Sequence, residues 1–331
     1  MVAATIDVAG IGNAIVDVIV HADEAFLASE GLAKGSMTLI DAARADELYA
    51  KVGAAIESSG GSAGNTMAGI ASLGGKGAYI GKVRDDLLGD VFRHDITAIG
   101  IRFETPPASE GPGTARCLVL VTGDGQRTMG TYLGACVELG PADIDPAVIA
   151  AAQITYLEGY LFDPPLAQEA FRKAAAVAHA AGRQVALSLS DPFCVGRHRA
   201  AFRDLVDGHV DILFANEIEI CSLYETDDFA AAAAAVRGHV AIAALTRSAA
   251  GSVVLAEGAE HPIAAAPVAR VVDTTGAGDL YASGFLYGLT RALPLPVCGE
   301  IGSLCAAEVI SHFGARPEVK LSDLVAKAAR A

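Results

Sequence analysis

The chain has 331 residues, 52% of them hydrophobic and 19% charged, and a formal net charge of −15. This is the composition of a folded globular protein with a large core, one α/β domain or a core with a small appendage, and it excludes a disordered chain. The acidic balance argues against nucleic acid as a partner, because a phosphate backbone binds to a positive surface.

No apolar run approaches the ~20 residues of a membrane span, so no membrane partner is expected. The first residues carry Asp7 and Asp17 and no basic cluster, which predicts no signal peptide. Six scattered cysteines without a Cys-x-x-Cys pair fit reduced thiols in a cytoplasmic protein better than disulfides or zinc.

In chain order, an early strand ends before Gly12-Asn13-Ala14-Ile15-Val16-Asp17, and Met37–Ile40 reads as a short strand. Ala63–Leu73 and Leu87–Ile99 read as helices of an α/β core. Thr114–Thr122 and Arg127–Tyr132 read as strands joined by a Gly-Asp-Gly hairpin turn at 123–125. From there strand and helix alternate: strand 154–157, helix 165–181, strand 184–189, strand 212–214, helix 216–224, strands 241–246 and 252–256. This rhythm predicts a doubly wound, mainly parallel sheet with helices on both faces. The alanine run 230–235 predicts a plain surface helix. The expected whole is one α/β domain over 1–331 with a small β lid from excursions within 12–40 and 101–133.

Asp273-Thr274-Thr275-Gly276-Ala277-Gly278-Asp279 runs straight into an apolar helical stretch, 280–289. The amides of Gly276, Ala277 and Gly278 then lie on a first helical turn, where N–H groups lack internal partners and the dipole is positive. That end can cradle a phosphate, and Asp279 beside it can take a proton from an attacking hydroxyl. A glycine-bearing turn capped by aspartate is the plainer reading. The dinucleotide and P-loop glycine patterns are both absent.

Gly60-Gly61-Ser62-Ala63-Gly64-Asn65 opens a helix, so Gly61, Ser62 and Asn65 can meet a ligand or simply cap that helix. Asn13 and Asp17 can present an amide and a carboxylate to vicinal hydroxyls, or form a turn. Asn216 and Glu219 follow an apolar strand, where open α/β sheets place ligands. They can hold the hydration shell of Mg²⁺, act as a capping box, or both. Thr246, Ser248 and Gly251 close another strand and can wall a nucleotide site or form a loop.

Taken in order, the segments at 60–65, 216–219 and 273–279 resemble the ribokinase-type (PfkB) superfamily of sugar and nucleoside kinases over essentially the whole chain. The resemblance implies Asp279 as catalytic base, the 276–278 amides as anion hole, and Asn216 and Glu219 as organisers of Mg²⁺, through water, and phosphates. It places Thr246, Ser248 and Gly251 on the ATP site and the nucleotide base near Ala306–His312, with Ala307 and His312 as contacts. A monovalent cation such as K⁺ near 273–275 also belongs to the superfamily. Within it, Gly12–Asp17, Leu189-Ser190-Asp191-Pro192-Phe193 and the 123–127 hairpin resemble the adenosine-kinase branch, with Arg127 reaching toward the phosphates.

The expected activity is therefore transfer of the γ-phosphoryl of Mg·ATP to the 5′-hydroxyl of a nucleoside, most of all adenosine, by a monomer or homodimer. Asp17, Asn13, Gly61, Ser62 and Asn65 would hold the sugar, and Met37, Phe162 and Phe193 would wall the base if they converge. A kinase for free ribose or fructose is the runner-up, and a catalytically idle nucleoside-binding protein is the reading from another class.

Overall fold

Ile6–Ile11 is buried along its whole length, as a strand covered on both faces must be. In the computed structural model it lies inside a nine-stranded sheet. The strand order is Ala259–Ile263, Ser252–Ala256, Ile242–Thr246, Ile212–Asn216, Gln184–Ser188, Ala152–Glu158, Ile6–Ile11, Gly77–Ile80 and Arg102–Phe103. All neighbours run parallel except the pairs made by the first three of these strands, which are antiparallel. The structure describes residues 3–328, so positions 1–2 and 329–331 of the expected domain lie outside the described residues.

Helices cover both faces of this sheet. Pro165–Ala180, Pro192–His209 and Glu217–Tyr224 pack one face through Phe171, Phe202 and Leu223. Ser62–Ser72, Leu87–Ala98 and Ala277–Thr290 pack the other through Met67, Phe92 and Phe285. The doubly wound, mainly parallel arrangement read from the second half of the sequence is the arrangement found. The alanine run is a correction: helix Phe229–Val236 buries Ala232, Ala233 and Val236, so one face of it belongs to the core.

A second sheet has five strands, in the order Met37–Leu39, Arg127–Tyr132, Ala115–Val121, Ile15–His21 and Ile56–Ser59. Its last strand falls outside the 12–40 and 101–133 excursions, and Arg102–Phe103, inside them, joins the large sheet instead. Side chains alternate across a strand. Leu118, Leu120, Val18 and Val20 are buried, and helices Glu24–Ser29 and Ala42–Lys51 cover that side through Leu27 and Leu48. The alternate set, Ile15, Asp17, Ile19, Cys117, Val119, Arg127, Met129 and Thr131, lines a cleft of about 970 Å³ against the large sheet. Among the described residues, no helix is long and apolar enough to cross a membrane.

Candidate active site

The cleft floor is formed where parallel strands of the large sheet end. Asn13, Glu158, Ser188, Asn216 and Thr246, each just past or at the carboxyl end of a strand, all line it. That edge is where open α/β sheets bind ligands. Asp279, in the first turn of helix Ala277–Thr290, projects into the same space.

Gly276 caps that helix with φ 78°, a left-handed conformation that favours glycine. A Cβ there would lie 2.8 Å from the Ala315 Cβ, so the turn is also pressed against the loop following the last core helix. A Cβ on Gly278 would meet nothing within 4 Å, which leaves the helix end open to the cleft. The Ala277 amide is spent on the Thr274 carbonyl at 3.2 Å, whereas the Gly276 and Gly278 amides donate to no acceptor among the described residues. Two of the three expected anion-hole amides are therefore unspent.

Ser62 Oγ donates to Asp279 Oδ1 at 2.6 Å, and Asn65 Nδ2 donates to Asp279 Oδ2 at 3.0 Å. These two side chains hold the carboxylate in this structure. The Asn65 Oδ1 atom is buried without a partner and remains available to a donor. Burial pushes the Asp279 carboxyl up to about 6, against the Ser62 and Asn65 hydrogen bonds and the Arg316 charge. A base with such a value is ionised at neutral pH and well matched to proton abstraction there.

Asp17 differs in having no hydrogen-bond donor among the described residues. Burial raises its carboxyl to about 6, Arg316 and Arg127 pull it down, and Asp279 pushes it up. A half-buried carboxylate that faces the cleft without protein donors is open to a ligand that supplies them. Gly60 makes room for it, since a Cβ there would fall 2.4 Å from the carboxylate. Asn13 is committed inward: its backbone N and its Nδ2 both donate to Glu158 Oε1, at 3.2 and 2.7 Å. Glu158 also accepts from the Ala63 amide at 2.7 Å, and burial raises its carboxyl to about 7.

Asn216 and Glu219 form the reciprocal capping box. Asn216 N and Nδ2 donate to the two Glu219 carboxylate oxygens at 2.8 and 2.6 Å, and Glu219 N donates back to Asn216 Oδ1 at 2.9 Å. Burial raises the Glu219 carboxyl to about 7, with Asp191 and Asp279 adding to the shift. Both residues nonetheless line the cleft. No cluster of three or more His, Cys, Asp or Glu side chains able to hold a metal occurs among the described residues. The oxygen donors of Asn216 and Glu219 on the cleft wall are of the hard kind that Mg²⁺ takes, directly or through its waters.

Arg127 crosses from the small sheet. Its Nε lies 3.0 Å from Asp273 Oδ2 without hydrogen-bond alignment, and its guanidinium lies over the Phe313 ring at 5.9 Å. The arginine expected to reach toward phosphates is thus held by the carboxylate that starts the cradle loop. Asp273 also fixes that loop through the Thr275 amide and hydroxyl, at 3.0 and 2.7 Å.

Met37, Gly61 and Phe193 line the cleft, Phe193 at its rim with 76% exposure. Phe162 does not. It is wholly buried, 4.2 Å from the Phe202 ring centroid and 5.9 Å from that of Phe171, and is a core residue. Of the nucleotide residues expected from sequence, Thr246 lines the cleft and Ser248, Gly251, Ala307 and His312 lie outside its lining. Gly251 has a structural reason for being glycine, because a Cβ there would sit 2.1 Å from the Ile263 carbonyl. His312 is paired with Glu308 Oε1 at 3.2 Å. Sequence reasoning missed Glu158 and Arg316, which both line the cleft.

Residues 28–320 match the family model described as pfkB family carbohydrate kinase. The chain belongs to the pfkB family of kinases. It is a phosphotransferase acting on hydroxyl groups, a nucleoside or sugar kinase with the ribokinase-like fold and close to adenosine kinases. Among solved structures, adenosine kinase from Sinorhizobium meliloti is 52% identical with TM-score 0.90, covering 98% of this chain and 100% of that one. A probable sugar kinase from Rhizobium etli CFN 42 is 50% identical with TM-score 0.91, covering 98% of this chain and 99% of that one. Adenosine kinase of Saccharomyces cerevisiae is 26% identical over 94% of this chain and 97% of its own length.

Proposed function

We propose that this enzyme transfers the γ-phosphoryl of ATP to the 5′-hydroxyl of adenosine. The observation that carries the reading is one cleft shared by Asp279, the unspent amides of Gly276 and Gly278, and the donor-free Asp17 carboxylate. Asp17 accepts hydrogen bonds from vicinal sugar hydroxyls, which satisfies a carboxylate the protein leaves bare. The apolar part of the lid, Met37, Val119 and Leu133, with Phe193 at the rim, suits a purine. The names of the similar kinases from S. meliloti and S. cerevisiae point the same way.

Asp279 accepts the proton of the attacking 5′-hydroxyl. The new O–P bond forms as the bond to the β-phosphate oxygen breaks, and ADP leaves. Ser62 and Asn65 hold the carboxylate in place for this, and holding reacting groups in line is worth at most ~7–11 kcal/mol of barrier. The Gly276 and Gly278 amides stabilise the charge spread over the transferring group. Asn216 and Glu219 would hold the hydration shell of Mg²⁺, which would supply neutralisation of phosphate charge when bound. Arg127, released from Asp273, is the lid cation nearest the cradle and reaches the same charge. We place this chemistry in the cytoplasm, in one ribokinase-like domain whose small sheet acts as its lid.

A kinase for a free sugar is the second reading, favoured by the name of the R. etli relative. Parallel assays of ATP consumption with adenosine, inosine, guanosine, ribose and fructose separate the two. Adenosine is expected to give the highest kcat/KM. A free sugar far ahead of every nucleoside would overturn the assignment and leave the phosphotransferase standing.

A further inference from the structure

We propose that Arg316 is a positioning residue for phosphoryl transfer, bracing the junction of lid and core at Ser59 and standing as shared counter-charge to Asp17 and Asp279. The proposal rests on the kinase reading of this cleft. Arg316 Nη2 donates to the Ser59 carbonyl and, at 2.9 Å, to the Ser59 hydroxyl. Ser59 N and Oγ in turn donate to Asp95 Oδ2 at 2.7 and 2.5 Å, from helix Leu87–Ala98. Ser59 ends the lid strand Ile56–Ser59, pairs with Val16, and is followed at once by Gly60 and Gly61. Those glycines lead into helix Ser62–Ser72, whose Ser62 and Asn65 hold Asp279. Movement of Ser59 would therefore reach the base within three residues.

The same short segment touches the other side of the cleft. Ala315 packs against Gly276, and the Gly314 amide donates to Asp273 Oδ2 at 3.2 Å. Residues 314–316 thus contact both the anion cradle and the lid junction. A guanidinium has five N–H donors in a rigid fork, and among the described residues only Nη2 is spent on the protein. Arg316 Nε is buried without a partner in a residue that lines the cleft.

Charge makes the second half of the case. Asp17, Asp163, Asp191, Asp279, Glu158, Glu219 and Glu318 are acidic groups of one cleft, Asp163 being paired with Arg197, and Tyr156 and Tyr160 lie within electrostatic reach of Asp279. Against them stand Arg316, which acts on both Asp17 and Asp279, and Arg127, which acts on Asp17. Asp95, Asp17, Tyr79 and Asp279 in turn favour the charged guanidinium, against the burial that opposes it. Two aspartates ionised in one cleft are helped by a fixed cation, and Arg, which does not deprotonate in proteins, supplies one.

The test compares Arg316→Gln and Arg316→Lys with wild type. In Arg316→Gln the acid limb of kcat/KM should move up by about one pH unit, as expected for loss of an adjacent opposite charge. The acceptor KM should rise about ten-fold, with the ATP KM nearly unchanged. Arg316→Lys should restore the acid limb but not the KM, because a point charge cannot reproduce the fork. Hydrogen exchange of the 59–66 amides reads the brace independently of any substrate, and both variants should exchange faster there. An Arg316→Gln enzyme with wild-type acid limb, KM and exchange would overturn the proposal. Should that variant show no cooperative melt, Arg316→Lys decides alone: wild-type KM and exchange refute the brace, and a displaced acid limb refutes the counter-charge. Loss of turnover by wild type on every acceptor would sink the kinase reading, and the exchange result would still stand.

Discussion

Asp279→Asn should separate catalysis from stability in a direction opposite to that of an ordinary core substitution. The carboxyl sits at about 6, raised from 3.8 by burial. At neutral pH the folded protein therefore carries a strained charge, a penalty of about 3 kcal/mol at 1.36 kcal/mol per pH unit. An asparagine of the same shape removes that penalty. It keeps one acceptor for Asn65 Nδ2, and the Ser62 hydroxyl can reverse to accept from the new amide. One altered hydrogen bond costs about 1 kcal/mol, less than the relief. The unfolding midpoint without ligands, followed by differential scanning calorimetry at pH 7.5, should equal or exceed that of wild type. Turnover should fall ~10²–10⁴-fold, the range for loss of a general base. A variant that turns over within ten-fold of wild type would remove Asp279 from the base role. A large drop in midpoint would refute the claim that its buried charge is destabilising.

Other consequences concern the whole cleft. Asp17 and Asp279 rise to about 6 and Glu158 and Glu219 to about 7, all above their ordinary values. Groups raised on folding favour the folded state at low pH and lose that contribution as pH rises through the folded values. The lowered carboxyls of Asp7 and Asp163 titrate below this range. The ligand-free midpoint should therefore rise as pH falls from 8 to 5.5, and a falling midpoint over that window would contradict the cluster. Asp17→Ala should raise the acceptor KM by about one to two decades, at ~1.5–3 kcal/mol for hydrogen bonds to a charged group, and leave the ATP KM nearly unchanged. Equal effects in steady-state kinetics would assign it to structure. Phe193→Ala removes a side chain that is 76% exposed, so the fold should tolerate it, while adenosine weakens by ~1–3 kcal/mol and ribose does not. Parallel loss for both acceptors would take Phe193 out of the base wall.

The fold was legible because its strands are continuous apolar runs and its helices begin at side chains that announce them, as Asn216 does with Glu219 three residues on. Asp279 and its glycines were legible as a group because they are adjacent in sequence and lie on one turn of one helix. What sequence did not reveal depends on long-range approach. Arg316 reaches Ser59 across 257 positions, and Ser62 reaches Asp279 across 217. Neither pairing has a periodicity to betray it. Phe162 misled because a short turn, Gly159–Phe162, gives no pattern that says which side faces the core. Ile56–Ser59 was not legible as a strand of the small sheet because its burial is partial and its sequence, Ile-Glu-Ser-Ser, is mostly polar.

The transferred phosphoryl group should land on the 5′-oxygen of adenosine. Incubation with ATP, Mg²⁺ and either adenosine or 5′-deoxyadenosine, followed by ³¹P NMR of the products, reads this without a coupled assay. Adenosine should yield AMP and ADP in equal amounts, and 5′-deoxyadenosine, lacking the attacking oxygen, should yield no new phosphate ester. A phosphate ester at another position of the ribose, or no ester from adenosine while a free sugar is phosphorylated, would contradict it.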